Sequence, residues 1–131
     1  MRRQVLIVDD EPNIREIFST YLGMRGLEPL TAENGLVALE VARQNNVQVI
    51  FSDLKMDVMD GLEFCRRLRE HNPIAIVHAM TGFPGIFQLA ECRGLGFAAY
   101  LAKPIGMPML MRLIEEAFVK LDRWKDLIVT S

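Results

Sequence analysis

Hydrophobic positions along the chain change period repeatedly, and each change marks an element. Residues 5–8 form a continuous apolar run, Val5-Leu6-Ile7-Val8, as expected of a strand buried on both faces. Pro12 follows where a first helical turn accepts proline. Ile14, Ile17, Phe18, Tyr21 and Leu22 then recur at helical spacing on one face, and Gly23 and Gly26 break the pattern. Residues 27–31 read as a weaker strand. Asn34-Gly35 opens a helix with Ala38, Leu39 and Ala42 on one side.

The alternation continues. Residues 47–52 are a third strand, and Asp60 with Glu63 makes a capping-box-like start to a helix whose inner face carries Phe64 and Leu68. Asn72-Pro73 punctuates before a fourth strand at 74–79. Gly82, Pro84 and Gly85 mark a loop, a short helix covers about 86–93, and Gly94 and Gly96 end it. Residues 97–101 are a fifth strand. Pro108 starts a last helix with Leu110, Leu113, Ile114, Ala117, Phe118 and Leu121 on its face, and Met107, Met109 and Met111 padding its start. Five strands alternating with five helices predict a doubly wound α/β fold, a parallel sheet with helices on both faces. Residues 1–121 are one domain, and 122–131 a C-terminal tail that is either docked or the stub of a linker.

Composition narrows the class. At 131 residues the chain suits one domain. A net charge of -2 argues against nucleic-acid binding by bulk positive charge. Cys65 and Cys92 lack metal-type spacing and fit a reduced, cytoplasmic protein. The apolar run after Met1-Arg2-Arg3-Gln4 is too short for a signal peptide, and no stretch approaches the roughly 18 apolar residues of a membrane span. His71, before a proline-marked turn, and His78, inside a buried-type strand, read as structural.

Open α/β sheets bind ligands beyond the carboxyl ends of their strands. The residues at those ends are Asp9 and Asp10, Asp53, Thr81 and Lys103. Two unit charges about 5 Å apart repel by roughly 3 kcal/mol at an effective dielectric near 20. Three converging carboxylates therefore need a cation, and an all-oxygen set suits Mg²⁺. A carboxylate is also a nucleophile toward phosphorus, giving an aspartyl phosphate. Transfer then needs in-line positioning and neutralised equatorial oxygens. Thr81 supplies a hydroxyl and Lys103 a mobile charge.

Asp9-Asp10-Glu11, Asp53-Leu54-Lys55-Met56 with Met59-Asp60-Gly61, Met80-Thr81-Gly82, and Tyr100-Leu101-Ala102-Lys103-Pro104 resemble the signature segments of response-regulator receiver domains, in order and from about residue 4 to 121. The resemblance implies a flavodoxin-like strand order 2-1-3-4-5 and a phosphorylation-dependent switch of a two-component system. It implies that Asp53 accepts the phosphoryl group. Asp10, Asp53 and the Lys55 backbone carbonyl would ligate Mg²⁺, with Asp9 acting largely through water. Thr81 and Lys103 would contact the phosphoryl group, and Tyr100 would rotate as Thr81 moves. It implies a frequently cis Lys103-Pro104 bond. The implied partners are a sensor histidine kinase or phosphotransfer protein, and an output partner or homodimer. Neither nucleic acid nor membrane is contacted directly. The fourth helix, fifth strand and fifth helix would form the output face, with Phe83, Phe87 and Phe97 contributing. Such a domain is not an enzyme beyond self-catalysed phosphoryl transfer and hydrolysis.

Departures from the family pattern are local. Asp57 stands where proline is usual and adds charge at the acidic mouth. Gly82 replaces a common alanine. Lys55 and Phe83 occupy positions that influence phosphoryl lifetime, and a bulky Phe83 points to slow hydrolysis. A non-phosphorylated pseudo-receiver is the alternative reading; the intact acidic set, Thr81 and Lys103 argue against it. An aspartyl-phosphatase would need an acid two residues after the nucleophile, where Lys55 stands. A flavin-type phosphate cradle would need small residues where Asp9-Asp10-Glu11 stand.

Overall fold

Alternate residues of the central strands serve two different cores, which is why their sequences are apolar throughout. The computed structural model describes residues 2–130, with side chains through Leu127. Its strands are β1 (Gln4–Val8), β2 (Glu28–Ala32), β3 (Val49–Asp53), β4 (Ile76–Thr81) and β5 (Ala99–Ala102). Its helices are α1 (Pro12–Met24), α2 (Gly35–Asn45), α3 (Gly61–His71), α4 (Ile86–Gly94) and α5 (Met107–Thr130). All strand pairings are parallel, in the order β2-β1-β3-β4-β5, so the doubly wound fold and its strand order match expectation. Val5 and Ile7 of β1, with Val49 and Phe51 of β3, pack against Phe18 and Leu22 of α1 and Leu110 and Ile114 of α5. Leu6 and Val8, with Ile50 and Val77, face Ala38 and Ala42 of α2 and Phe64 and Leu68 of α3. Cys92 brings α4 onto Leu54 and Ala79 on this second side.

Local signals explain most helix starts. Pro12 opens α1. Asn34 accepts a hydrogen bond from the Val37 amide and Asp60 from the Glu63 amide, satisfying amide groups that the helix itself leaves unpaired. Only half of the expected capping box forms, because the Glu63 carboxylate turns to Arg66 and Arg67 instead.

The structure corrects several expectations. Gly23 stays within α1, and the break comes at Gly26, whose φ of +81° suits glycine. Ile17 is exposed rather than inward-facing. Strands β2 to β5 begin one or two residues later than expected, and each runs one or two residues further. Asp53 and Thr81 remain in the ladder because Met80 and Ala102 stand opposite them in register. Phe97 precedes β5 and packs half-buried against the core. Helix α5 continues past Leu121 without interruption, since 122–130 contain neither glycine nor proline. Residue 131 and the side chains of 128–130, part of the expected tail, lie outside the described residues. No helix among the described residues is long and apolar enough to cross a membrane.

His78 is buried in β4. Its Nδ1 donates to the Ile50 carbonyl oxygen at 3.0 Å, and its ring stacks on Phe51 with centroids 4.1 Å apart. Burial holds its pKa below the ordinary histidine value. The unfolded chain takes up a proton below about pH 6.5 while the folded one resists it. This part of the stability is therefore complete above that pH and is lost as pH falls toward the depressed folded value. Thermal melts between about pH 7 and about pH 5 should show a shallower decline for His78→Gln than for the unaltered chain. Parallel declines would contradict a neutral, buried His78.

Candidate functional site

One register step beyond the ladder places the chemistry. Val8 pairs with Ser52 and Asp53 with Met80, so the residues ending β1, β3 and β4 share one edge of the sheet. Asp9 follows β1 and is fully buried. Its amide donates to the Ala32 carbonyl at 3.0 Å, and its own carbonyl accepts from Arg15 Nη1 at 2.7 Å. Its Oδ1 accepts from the Glu11 amide at 2.9 Å. Asp10, at the bend that follows, is exposed. Asp53 ends β3, buried, with Oδ1 accepting from the Lys55 amide at 3.3 Å. Oxygen atoms of Asp9, Asp10 and Asp53 lie within 4.8 Å of one another.

Lys103 enters this group from the end of β5, its amide anchored on the Thr81 carbonyl at 2.8 Å and its bond to Pro104 cis. Its Nζ lies 2.7 Å from Asp9 Oδ2 and 3.1 Å from Asp53 Oδ2. Burial pushes the Asp53 carboxyl above the usual range, and the Lys103 ammonium partly offsets this. Burial alone would lower Lys103, but Asp9 and Asp53 together outweigh it and hold the ammonium above its ordinary value. Three carboxylates against one ammonium leave an excess of negative charge. Asp9 Oδ2 is buried without an aligned hydrogen bond, its contact with Lys103 being one of charge. A hard, all-oxygen donor set with surplus negative charge is chemically suited to a divalent cation such as Mg²⁺.

Thr81, at the end of β4, is buried, and its Oγ1 accepts from the Phe83 amide at 3.1 Å. Tyr100 is half-buried in β5. Its hydroxyl accepts from the Gly85 amide at 2.9 Å and reaches Gln88 Oε1 at 2.6 Å. The mouth of the site is lined by Asp10, Asp57, Thr81, Phe83 and Lys103. Lys55 is an exposed part of the same rim. Thus every site residue expected from sequence lies at this edge, with Tyr100 one shell outward.

The loop after β3 turns without the usual proline. The Met59 amide bonds the Asp57 carbonyl at 2.8 Å, closing a γ-turn at Val58, whose φ is +70°. A β-branched residue held there costs on the order of 1–3 kcal/mol. The turn directs Met59 into the core and its carbonyl onto the Gly35 amide, so Asp57 keeps the loop closed while its exposed carboxylate adds charge to the rim. Two contributors were not foreseen. Arg15 has only a helical position to mark it. Gln88, which lines the mouth, stands three residues after Gly85, a spacing that signals helix capping. A second groove between α2 and α3 has charges largely paired along each helix, Arg43 with Glu40 and Arg66 with Glu63.

Gly61 is the tightest packing point of the site. Its amide donates to the Leu54 carbonyl, and an added Cβ would overlap the Asp53 carbonyl oxygen. Since backbone rather than a flexible side chain stands in the way, Gly61→Ala should lower stability by about 1–3 kcal/mol in urea unfolding. Stability within experimental error of the unaltered chain would contradict this approach of backbone to backbone.

Comparison with known proteins follows the same line. The family profile described as response regulator receiver domain matches residues 5–115. The transcriptional regulatory protein GlrR of Escherichia coli K12 is 29% identical over 131 residues, 96% of this chain but 30% of that protein. The chain thus spans less than a third of that regulator's length. Sporulation initiation phosphotransferase F of Bacillus subtilis 168 is 30% identical over 104 residues, 79% of this chain and 84% of that protein. Among solved structures, the chemotaxis protein CheY4 of Vibrio cholerae is 29% identical, with a TM-score of 0.84 over 89% of this chain and 99% of that one.

Proposed function

The chain belongs to the response regulator receiver domain family, and from that membership we propose that it is a two-component switch whose phosphoacceptor is Asp53. Receiver domains act in phosphorylation-dependent signalling; the assignment of roles to individual residues is our reading. The observation that carries it is the meeting of Asp9, Asp10, Asp53 and the Lys103 ammonium at one strand edge.

In this reading an Asp53 carboxylate oxygen attacks the phosphorus of a phosphohistidine on a sensor kinase or phosphotransfer protein. The new O–P bond forms as the P–N bond breaks, and the electron pair returns to the imidazole nitrogen. Asp10 and Asp53, with the Lys55 backbone carbonyl and with Asp9 acting largely through water, would hold Mg²⁺, which when bound neutralises charge on the phosphoryl oxygens. Lys103 already contacts Asp53 Oδ2, so its ammonium is placed to follow the charge from carboxylate to acyl phosphate. Thr81 offers a hydroxyl from the adjacent strand, at the expense of its bond to the Phe83 amide. Its movement opens space toward which Tyr100 turns. This biases the segment from Gly82 to Tyr100.

Residues 1–121 would carry the switch. Output passes through a partner or a homodimer. Phe83 and Phe87, 82% and 88% exposed, supply apolar surface for it, whereas the packed position of Phe97 removes it from that face. Exposed Phe83 at the mouth also stands where it can hinder water and lengthen phosphoryl lifetime. Incubation with acetyl phosphate and Mg²⁺ should add one phosphoryl mass to the intact chain, and Asp53→Asn should abolish the addition. An unmodified chain with a folded circular dichroism spectrum would instead favour a binding module that works without phosphorylation.

A further inference from the structure

Helix α4 begins at Gly85, which caps it with extended backbone but offers no side chain for its free amide groups. A partner for the first amide groups stabilises a helix start even where, as here, the start is exposed to water. The partner here comes from another element: the Gly85 amide donates to the Tyr100 hydroxyl of β5 at 2.9 Å. The hydroxyl proton goes in turn to Gln88 Oε1 at 2.6 Å, and the second contact with the Gly85 carbonyl is longer, at 3.5 Å. Gln88 is the third residue of α4. From that position a Gln side chain can reach back and accept from the amide of the capping residue directly. The Tyr100 hydroxyl is therefore inserted into a capping contact that Gln88 can make alone.

We infer that α4 has two interchangeable caps, one bridged by the Tyr100 hydroxyl and one made directly by Gln88, and that Gln88 lets Tyr100 leave without uncapping the helix. The inference deepens the proposed switch, because it rests on Tyr100 turning away from its present position. Without Gln88, departure of the hydroxyl would leave the Gly85 amide to water and cost the helix its cap. With Gln88, one acceptor replaces another, and the two positions of Tyr100 differ less in free energy. The segment that must move, Gly82-Phe83-Pro84-Gly85, is exposed throughout and is tied at one end by Thr81 and at the other by this cap. Gln88 is thus a positioning residue that acts through Tyr100 and α4.

A simple latch, in which Gln88 serves only to hold Tyr100, makes the opposite prediction, and a double-mutant comparison separates the two. Hydrogen exchange of the Gly85 amide is read by NMR in the full chain, without phospho-donor, for Tyr100→Phe, Gln88→Leu and the double variant. Two interchangeable caps leave Gly85 protected in Tyr100→Phe, because Gln88 takes over. The double variant then loses protection by about fivefold, the equilibrium factor of a typical cap. Gln88→Glu in the Tyr100→Phe background, which keeps the acceptor, restores it. Loss of protection in Tyr100→Phe alone, or equal protection in that variant and the double variant, would overturn the inference. Adding beryllofluoride with Mg²⁺ should leave Gly85 protected in the unaltered chain but not in Gln88→Leu. If beryllofluoride shifts no resonance in the unaltered chain, the phosphorylation reading fails, while the donor-free comparison still decides the cap.

Discussion

The Lys103 ammonium sits between two buried carboxylates, 2.7 Å from Asp9 and 3.1 Å from Asp53. The arrangement of the whole sheet edge depends on it. Like charges at such separations repel by several kcal/mol in a medium of intermediate dielectric, and Asp9 and Asp53 are removed from water by the strands that carry them. One ammonium does not balance three acids. The protein therefore stores an excess of negative charge where its strands end, and a divalent cation is the species that such an edge attracts most strongly. In the proposed function, cation binding, nucleophilicity of Asp53 and contact with a transferred phosphoryl group would all draw on this single imbalance.

The same edge connects chemistry to shape. Lys103 is anchored through its amide to the Thr81 carbonyl, while the Thr81 hydroxyl holds the Phe83 amide. Two residues on, the Tyr100 hydroxyl holds Gly85 and Gln88. A pull on the Thr81 hydroxyl thus loosens one end of a short exposed loop whose other end is tied to α4. The elements below, packed on both faces of a fully buried β3 and β4, are poor candidates for movement. The loop and α4, which contributes Cys92 as its buried residue, are better ones.

Much of this was readable in the sequence. The apolar runs and helical periods gave five strands and five helices in order, and polar residues following each run located Asp9, Asp53, Thr81 and Lys103. What escaped were features set by neighbours rather than by local pattern. Strand ends extended through Asp53 and Thr81 because adjacent strands offered partners in register, and no propensity in Ser52-Asp53 announces that. Ile17 kept helical spacing yet lies outside the stripe that α1 buries. Arg15 and Gln88 act on Asp9 and Tyr100, residues from other elements, so their roles depend on distances that a one-dimensional pattern lacks. Val58 at positive φ is the clearest case, a residue whose own preference opposes the turn that Met59 and Gly35 impose.

Surplus charge among the three carboxylates would both create a cation site and destabilise the edge that carries them. Asp10, the exposed member, is the one that can be neutralised with least disturbance to packing. Thermal unfolding of the unaltered chain and Asp10→Asn, each with and without Mg²⁺, tests this directly. Asp10→Asn should melt higher than the unaltered chain without Mg²⁺ and lose most of the rise that Mg²⁺ produces. A variant that is no more stable without Mg²⁺, yet gains as much from Mg²⁺ as the unaltered chain, would contradict it.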